Sequence, residues 1–277
     1  MRLGGPVLDK YAGPDEWVAV LRDLGYRAAY CPVGTDATPE TITAYARAAQ
    51  ASDIVIAEVG VWNNPLSTDE PARKAALAKC RECLALAEAI GARCCVNIAG
   101  SRGVKWDGPC RDDLTDETFA LVVESVRSII DEVRPTRTYY TLEPMPWMYP
   151  DSADSYLWLL AAVDRKQFGV HLDPVNLVNS PAVYFRNGRL ISDFIGKLGP
   201  RIRSCHAKDT VLREQLTVHL DEVRPGLGQL DYRTYLRELA RLPGDVPLML
   251  EHLPRPDEYR AAAEYVRGIA RSEGVSL

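Results

Sequence analysis

Short apolar segments alternate along the whole chain with longer stretches in which apolar residues follow the period of a helix. The apolar segments have the length of buried strands, and most of them end at or next to Gly, Pro, Asp or Asn, which favour turns. In order they are RLGG, RAAYCPV, DIVIAEVGV, RCCVNIAG, RTYYTLEP, QFGVHLDP, RIRSCHAKD and VPLMLEH. Intervening stretches such as PDEWVAVLRDLG and TDETFALVVESVRSIIDEV predict amphipathic helices.

This alternation predicts an α/β protein, a single (β/α)8 TIM barrel formed by residues 1–277. The length of 277 residues fits one such barrel or two small domains, and no segment resembles a linker. An open dinucleotide-binding sheet is not supported, because no Gly-x-Gly-x-x-Gly follows the first predicted strand.

Composition narrows the classes of partner. The chain is 47% hydrophobic and 26% charged, and its net charge of −5 argues against a large nucleic-acid footprint. The first ten residues, MRLGGPVLDK, lack the apolar run of a signal peptide, and no run is long enough to span a membrane. We therefore expect a cytoplasmic protein with no nucleic-acid or membrane partner; a homo-oligomer, dimer or tetramer, stays open.

The seven cysteines are an odd number, which suggests reduced thiols. Cys80 and Cys83 form a Cys-x-x-Cys pair inside a stretch that predicts one long helix. We interpret them as residues of a helix face and not as a metal or redox site, because no second pair accompanies them.

Four acidic or imidazole side chains stand at the carboxyl ends of the last four predicted strands. They are Glu143, Asp173, His206 and Glu251, each separated from the next by about one strand–helix unit or more. Active sites of TIM barrels lie at this end of the strands. Three carboxylates and one imidazole suit a hard or borderline divalent cation, so the sequence predicts one metal ion, Mn²⁺, Mg²⁺, Co²⁺ or Zn²⁺.

Further polar and aromatic side chains near these strand ends are candidates for substrate binding: Asn97, Trp106, Trp147, His171, Asn176, Lys208 and Arg224. His171 shares a strand face with Asp173, one layer deeper, where a hydrogen-bonded histidine that orients a ligand is expected. The tryptophans suit either a sugar-binding wall or burial against loops. Lys208 suits a substrate oxygen or an ion pair with Asp209 or another acid, and Arg224 suits an anion or solvent.

At these residues the chain resembles the xylose isomerase-like TIM-barrel superfamily, the sugar phosphate isomerase/epimerase group. The resemblance covers nearly the whole chain and rests on Glu143, on HLDP at Asp173, on HAKD at His206 with the loop RPGLGQLDY after it, and on LEH at Glu251. It implies that these four residues hold one cation and that Glu143 and Glu251 also act as catalytic acid and base. Such a site suits proton removal next to a carbonyl, because a metal polarises the carbonyl and stabilises the enediolate.

The residues around the proposed ligands differ from the ketose 3-epimerases of this group. Those enzymes usually have a His three residues after the aspartate, a Glu six residues after the first glutamate and an Arg six residues after the histidine. This chain has Asn176, Tyr149 and Leu212 there, so free ketohexoses are not the expected substrates. The endonuclease IV branch needs a histidine-rich cluster of three zinc ions, which an acidic chain with four histidines does not supply.

The sequence thus predicts an enzyme, a divalent-metal-dependent isomerase or epimerase that acts on a small-molecule carbohydrate, either a sugar or a keto-polyol. One alternative is a metal-dependent lyase, which dehydrates a keto-inositol or cleaves a carbon-linked glycoside after the same proton abstraction. Another is a barrel that binds sugar without catalysis.

Overall fold

Eight parallel strands close into a barrel in the computed structural model, which describes residues 1–277. The barrel strands are Arg2–Gly5 (β1), Ala28–Tyr30 (β2), Val55–Gly60 (β3), Cys94–Asn97 (β4), Tyr139–Leu142 (β5), Phe168–Leu172 (β6), Ile202–Ala207 (β7) and Pro247–Leu250 (β10). Two further strands, Asp209–Leu212 (β8) and Leu220–Val223 (β9), form a separate hairpin. The barrel order is β1-β10-β7-β6-β5-β4-β3-β2, and β1 pairs with both β2 and β10, so no strand edge is open. The predicted (β/α)8 barrel is confirmed.

Nine α-helices surround the strands. They are Pro14–Asp23 (α1), Pro39–Ala51 (α2), Glu70–Ile90 (α3), Asp116–Val133 (α4), Ala153–Val163 (α5), Pro181–Tyr184 (α6), Asn187–Leu198 (α7), Tyr232–Ala240 (α8) and Pro256–Ser272 (α9). None of them is both long enough and apolar enough to cross a bilayer.

The long helix α3 shows how local sequence sets these boundaries. It begins after Asp69, whose carboxylate accepts a hydrogen bond from the backbone amide of Ala72, and it ends at Gly91, which has a positive φ of 79°. Cys80 and Cys83 are buried on its inner face as free thiols, as the helix-face interpretation predicted.

Two elements between the seventh and eighth barrel strands were not predicted. The segment RIRSCHAKD leaves the barrel after Ala207, and the antiparallel hairpin of β8 and β9 follows over the barrel mouth. Helix α8 then returns the chain to β10, and its buried residues follow the three-and-four spacing of an amphipathic helix: Tyr232, Tyr235, Leu236 and Leu239.

Side chains that point into the barrel stack in layers. Met249 of β10 lies beside His206 of β7 in the strand register, and it packs with the small residues Ala28 and Ala57. Glu251 lies two residues beyond Met249, so it faces the same way one layer nearer the mouth. The main apolar core lies outside this layer, between strands and helices.

Candidate active site

The four proposed metal ligands converge at the carboxyl end of the barrel. Glu143, Asp173 and Glu251 follow directly after β5, β6 and β10, and His206 lies within β7. All four are buried, and one ligand atom from each lies within 4.8 Å of the others. His206 Nδ1 is 2.8 Å from Glu251 Oε1, 3.2 Å from Glu143 Oε1 and 3.6 Å from Asp173 Oδ2.

This arrangement fits a divalent cation. Ligands on one ion, bound at about 2.0–2.6 Å, lie no farther apart than about twice that bond length, as these atoms do. The buried oxygens Asp173 Oδ2 and Glu251 Oε1 both face Lys208 Nζ and His206 Nδ1, so a bound cation would compete with these two groups for both oxygens. Three carboxylates and one imidazole are also the donor set that suits Mg²⁺, Mn²⁺, Co²⁺ or Zn²⁺.

Lys208 inserts a fixed positive charge into the same group of carboxylates. Its Nζ atom lies 2.5 Å from Glu251 Oε1, 2.8 Å from Asp173 Oδ2 and 3.5 Å from Glu143 Oε1. Asp209, the acid next to it in the sequence, instead accepts hydrogen bonds from backbone amides of the loop after β9. The predicted ion pair of Lys208 is therefore with the proposed metal ligands and not with Asp209.

Strong electrostatic coupling follows from this burial. Burial by itself raises the pKa of Asp173, but attraction to Lys208 and His206 outweighs it and holds that pKa well below its usual value. Burial lowers the pKa of His206, but Glu251, Glu58 and Glu143 together raise it well above 6.5. Before metal binds, these carboxylates therefore favour the imidazolium form of His206.

Glu58 holds the opposite side of the His206 ring. Glu58 Oε2 lies 3.3 Å from His206 Nε2, Glu58 Oε1 lies 3.0 Å from His171 Nε2, and the Ser204 hydroxyl also donates to Glu58. All of these groups are fully buried. The carboxylate fixes the ring so that Nδ1 faces the three acidic ligands, an arrangement that commonly supports metal-binding histidines.

Sequence reasoning missed Glu58, although a signal was present. A single glutamate interrupts the apolar strand DIVIAEVGV, and a charge inside a buried strand is rare unless it is paired. His171 lies beneath the site, as its strand position predicted. It contacts Glu58 and packs its ring 4.2 Å from that of His206, so it does not reach the cavity above.

A cavity of about 510 Å³ opens above the acidic cluster. Four of the predicted substrate-binding residues line it: Trp106, Trp147, Asn176 and Lys208. Asn176 donates from Nδ2 to Glu143 Oε1 at 2.9 Å, so it also orients one of the two proposed catalytic carboxylates. Trp62 lines the cavity too, with its ring centroid 6.4 Å from that of His206.

Asn97 and Arg224, like His171, do not line the cavity. Asn97 is fully buried, and its amide exchanges hydrogen bonds with Asn63, donating to Oδ1 at 2.9 Å and accepting from the backbone nitrogen at 3.1 Å. Arg224 forms an ion pair with Glu258 at 2.7 Å. These partners correct the expectation of substrate contact: Asn97 anchors the loop after β3, and Arg224 ties the loop after β9 to α9.

Two non-glycine residues at the cavity have positive φ angles, Trp62 at 53° and His252 at 57°. This conformation is unusual for bulky side chains and is maintained only where surrounding structure imposes it, often at functional sites. Trp62 and His252 lie two residues beyond the ends of β3 and β10, and His252 Nδ1 lies 3.2 Å from Glu222 Oε1 of the hairpin.

Known structures share this architecture at low identity. The fold is similar to a xylose isomerase-like TIM barrel protein from Mycobacterium smegmatis in complex with magnesium, at 17% identity and TM-score 0.68 over 98% of this chain and 97% of that one. It is similar to D-psicose 3-epimerase with D-tagatose from Clostridium cellulolyticum H10, at 15% identity and TM-score 0.71 over 100% of both chains. A probable 3-DHS dehydratase involved in petrobactin synthesis from Bacillus anthracis gives 16% identity and TM-score 0.72 over 98% of this chain and 99% of that one.

These identities establish likeness of fold alone, and no curated protein sequence matches the chain. Residues 18–269, however, match the family described as Xylose isomerase-like TIM barrel. That segment contains seven of the eight barrel strands and all four residues of the acidic cluster. The protein therefore belongs to the xylose isomerase-like TIM barrel family.

Proposed function

We propose that this protein is a divalent-metal-dependent isomerase or epimerase that removes a proton next to the carbonyl of a sugar or keto-polyol. One observation carries the proposal: Glu143 and Glu251, from different strands, both contact His206 Nδ1 and both border the cavity. Two carboxylates around one reacting centre can take a proton from carbon and return it to a neighbouring carbon or to the other face.

When bound, a divalent cation supplies Lewis-acid polarisation of the substrate carbonyl. Glu143, Asp173, His206 and Glu251 are the residues that would hold it. The similarity of fold to a magnesium complex and to a psicose epimerase supports the same reading. Among the four candidate ions, Mg²⁺ and Mn²⁺ agree best with a site built mainly from carboxylates.

The residues around the two glutamates give them different tasks. Asn176 donates to Glu143 Oε1 and holds that carboxylate in one orientation. Glu251 has no such amide partner and borders the cavity beside Lys208 Nζ, so we assign to it the removal of the proton from carbon. The Lys208 ammonium borders both and can donate to a substrate oxygen as negative charge develops there. Burial strengthens each of these interactions by excluding water.

A lyase is the second candidate. Its first step is the same proton abstraction, and the β-hydroxyl then leaves as water after receiving a proton from an acid at the site. The Lys208 ammonium, buried beside both glutamates, can hydrogen-bond that hydroxyl as it leaves, and the similarity of fold to a probable dehydratase also favours this reaction. Product mass separates the reactions, because dehydration removes one water and isomerisation leaves the mass unchanged.

The test is exchange of a carbon-bound proton for deuterium. Metal-loaded protein is incubated in D₂O with a panel of keto-sugars, keto-inositols and keto-glycosides, and products are followed by NMR and mass spectrometry. We expect exchange that depends on both metal and Glu251. Metal-loaded protein that binds these compounds without exchange or turnover would instead support a non-catalytic sugar-binding barrel.

The free cysteines bear on the cellular compartment of the protein. We propose a small carbohydrate as its ligand and the cytoplasm as its compartment, since all seven cysteines are free thiols and five of them are buried. Neither nucleic acid nor a membrane is part of the proposal.

A further inference from the structure

Tryptophan side chains are concentrated around the cavity above the acidic cluster. Of the five tryptophans in the chain, three line the cavity above the acidic cluster: Trp62, Trp106 and Trp147. Trp62 and Trp106 are 41% and 37% exposed. Large aromatic surface left open to water around a concave site is typical of ligand recognition, whereas structural tryptophans such as Trp17 are buried.

The side chains that line the cavity are nearly buried at its floor and more exposed at its mouth. Glu143, Lys208 and Glu251 are 5%, 2% and 8% exposed and form its floor. The more exposed Trp62 and Trp106 stand at its mouth. A ligand that reaches the two glutamates with a carbonyl therefore extends its other end toward the tryptophans at the mouth.

Two of the three tryptophans, Trp147 and Trp62, are held in place in the absence of a ligand. Trp147 Nε1 donates to the backbone carbonyl of Asp107 at 3.0 Å, so the loop after β5 and the loop that carries Trp106 are tied together. Trp62 is held at a positive φ of 53° with its ring over the His206 side of the site. Rings that are already positioned lose little conformational entropy when they bind a flat partner.

The cavity is larger than one monosaccharide needs. An apolar cavity of about 150 Å³ accommodates benzene, with six heavy atoms, so a ketohexose with twelve requires about 300 Å³ on the same scale. The cavity volume of about 510 Å³ leaves space for one further ring beside the tryptophans. Ile98 and Met145, which also line it, add apolar contacts for such a ring.

We propose that the substrate is a keto-glycoside: a sugar unit whose ring ketone lies at Glu143 and Glu251 and whose anomeric carbon is linked to a second ring that packs against Trp106 and Trp147. The proposal rests on the proposed function for the position of the sugar end. The second ring presents an apolar face, and either an aromatic aglycone or a second sugar has this chemistry.

Binding of matched probes tests this assignment. Calorimetric titrations of Mg²⁺-loaded protein compare methyl β-D-glucoside, 4-nitrophenyl β-D-glucoside, cellobiose and 4-nitrophenol, together with the corresponding galactosides. We expect at least one two-ring probe to bind about tenfold more tightly than its methyl glycoside, the ratio that about 1.4 kcal/mol of ring packing gives. Whether the aryl glycoside or the disaccharide binds more tightly then identifies the second ring.

Substitutions of single tryptophans test which side chains bind the second ring. Trp106→Ala and Trp147→Ala are each expected to remove most of the preference for two rings, and Trp147→Phe to keep part of it. Trp158→Ala is the matched control, because Trp158 is 61% exposed on α5 and does not line the cavity. Equal affinities for methyl and two-ring probes, binding of none of them, or 4-nitrophenol binding as tightly as its glycoside would each overturn the proposal.

Separate results would contradict the proposed second-ring site and the proposed metal-dependent reaction. Deuterium exchange with a free keto-sugar, together with equal binding of one-ring and two-ring probes, would overturn only the second-ring site. A tryptophan-dependent preference for two rings in a protein that binds no divalent ion would overturn the metal-dependent reaction and leave the aromatic site in place.

Discussion

The Nζ atom of Lys208 lies 2.5 Å from Oε1 of Glu251, so a buried cation and a proposed catalytic base form one short ion pair. Asp173 and Glu143 complete the surroundings of the same ammonium group. Attraction to these acids overcomes the effect of burial and raises the pKa of Lys208 well above 10.5, which favours the charged ammonium form. Lys208 therefore partly neutralises the acidic cluster before a metal ion binds.

Replacing Lys208 by methionine is expected to change metal affinity and turnover in opposite directions. Two unit charges about 4 Å apart, such as the ammonium and a bound metal ion, interact by about 4 kcal/mol at an effective dielectric constant of about 20. Relief of a third of this repulsion would change the dissociation constant of the metal by about tenfold. Without the ammonium, a divalent ion should bind about tenfold more tightly, while turnover falls because a proposed donor to the substrate oxygen is lost. Calorimetry and initial rates measure the two effects.

Lys197→Met is the matched control for this change. Lys197 also contacts two acids, Asp154 at 2.8 Å and Asp193 at 2.9 Å, but on the helical surface. It should alter neither metal affinity nor rate. Weaker metal binding by Lys208→Met would contradict the view that the lysine and the ion compete for the same carboxylates.

Glu251→Gln is expected to reduce turnover by about 10²–10⁴-fold, the usual effect of losing a positioned base, while thermal stability changes little. The amide keeps the size of the carboxylate and one oxygen that can face the metal. Glu222→Gln is the control, since Glu222 also lines the cavity but is not a proposed base. A Glu251→Gln protein with nearly the parent rate would remove Glu251 from the chemistry.

Glu58→Gln is expected to weaken metal binding by about 10–100-fold, the usual range when a partner that orients a metal ligand is lost. Glutamine can still accept from Ser204 but no longer brings a negative charge to His206. The visible spectrum of the Co²⁺-loaded protein should change as well, which a purely structural role of Glu58 would not cause. Unchanged affinity and spectrum would exclude this positioning role.

Glu88→Gln provides the comparison for Glu58. The Glu88 carboxylate accepts hydrogen bonds from the Thr136 hydroxyl and the backbone amides of Arg137 and Thr138, so it too joins separate elements. It lies away from the barrel mouth. Its replacement should lower the melting temperature without changing the metal site.

Metal binding is expected to release one proton from His206. Neighbouring carboxylates raise the pKa of His206 well above 6.5, so Nδ1 carries a proton at neutral pH, whereas a metal ligand must be deprotonated. Below that raised pKa, affinity should therefore increase about tenfold per pH unit and should level off above it. Calorimetry in buffers of different ionisation enthalpy counts the proton, and His252→Gln should leave that count unchanged.

The positions of the four proposed ligands at the ends of strands made their convergence predictable. Glu143, Asp173, His206 and Glu251 stand where successive strands end, and a closed barrel brings such ends together whatever the helices outside do. The barrel itself was predictable for the same reason, because alternating strand and helix patterns leave few other topologies.

Contacts made by neighbours distant in sequence were not predictable. The role of Glu58 depends on two histidines more than a hundred residues away, which no local pattern reveals. Asn97 looked available for a polyol, yet the loop after β3 folds back and Asn63 takes its hydrogen-bonding groups. The fixed position of Lys208 likewise follows only from the convergence of three separate strands.

Asn176 and Tyr149 bear on which substrates the protein accepts. Asn176, in place of the histidine expected in ketose 3-epimerases, donates to Glu143 and cannot carry charge. Tyr149, in place of their second glutamate, donates its hydroxyl to the carbonyl of Leu114 and packs on Phe119, outside the cavity lining. Both groups that bind the reacting end of a ketohexose in that branch are therefore missing here.

We accordingly expect kcat/KM for free fructose, psicose and tagatose below about 10⁴ M⁻¹s⁻¹, the low end for ordinary enzymes, and higher values for keto-inositols or keto-glycosides. Steady-state rates over one panel at saturating metal make the comparison. Asn176→His should raise activity on ketohexoses relative to the larger substrates, because it restores one of the missing groups, whereas Tyr149→Phe should not, because its hydroxyl faces a loop. If fructose or psicose were the best substrate of the unmodified protein, the inference from these two positions would be wrong.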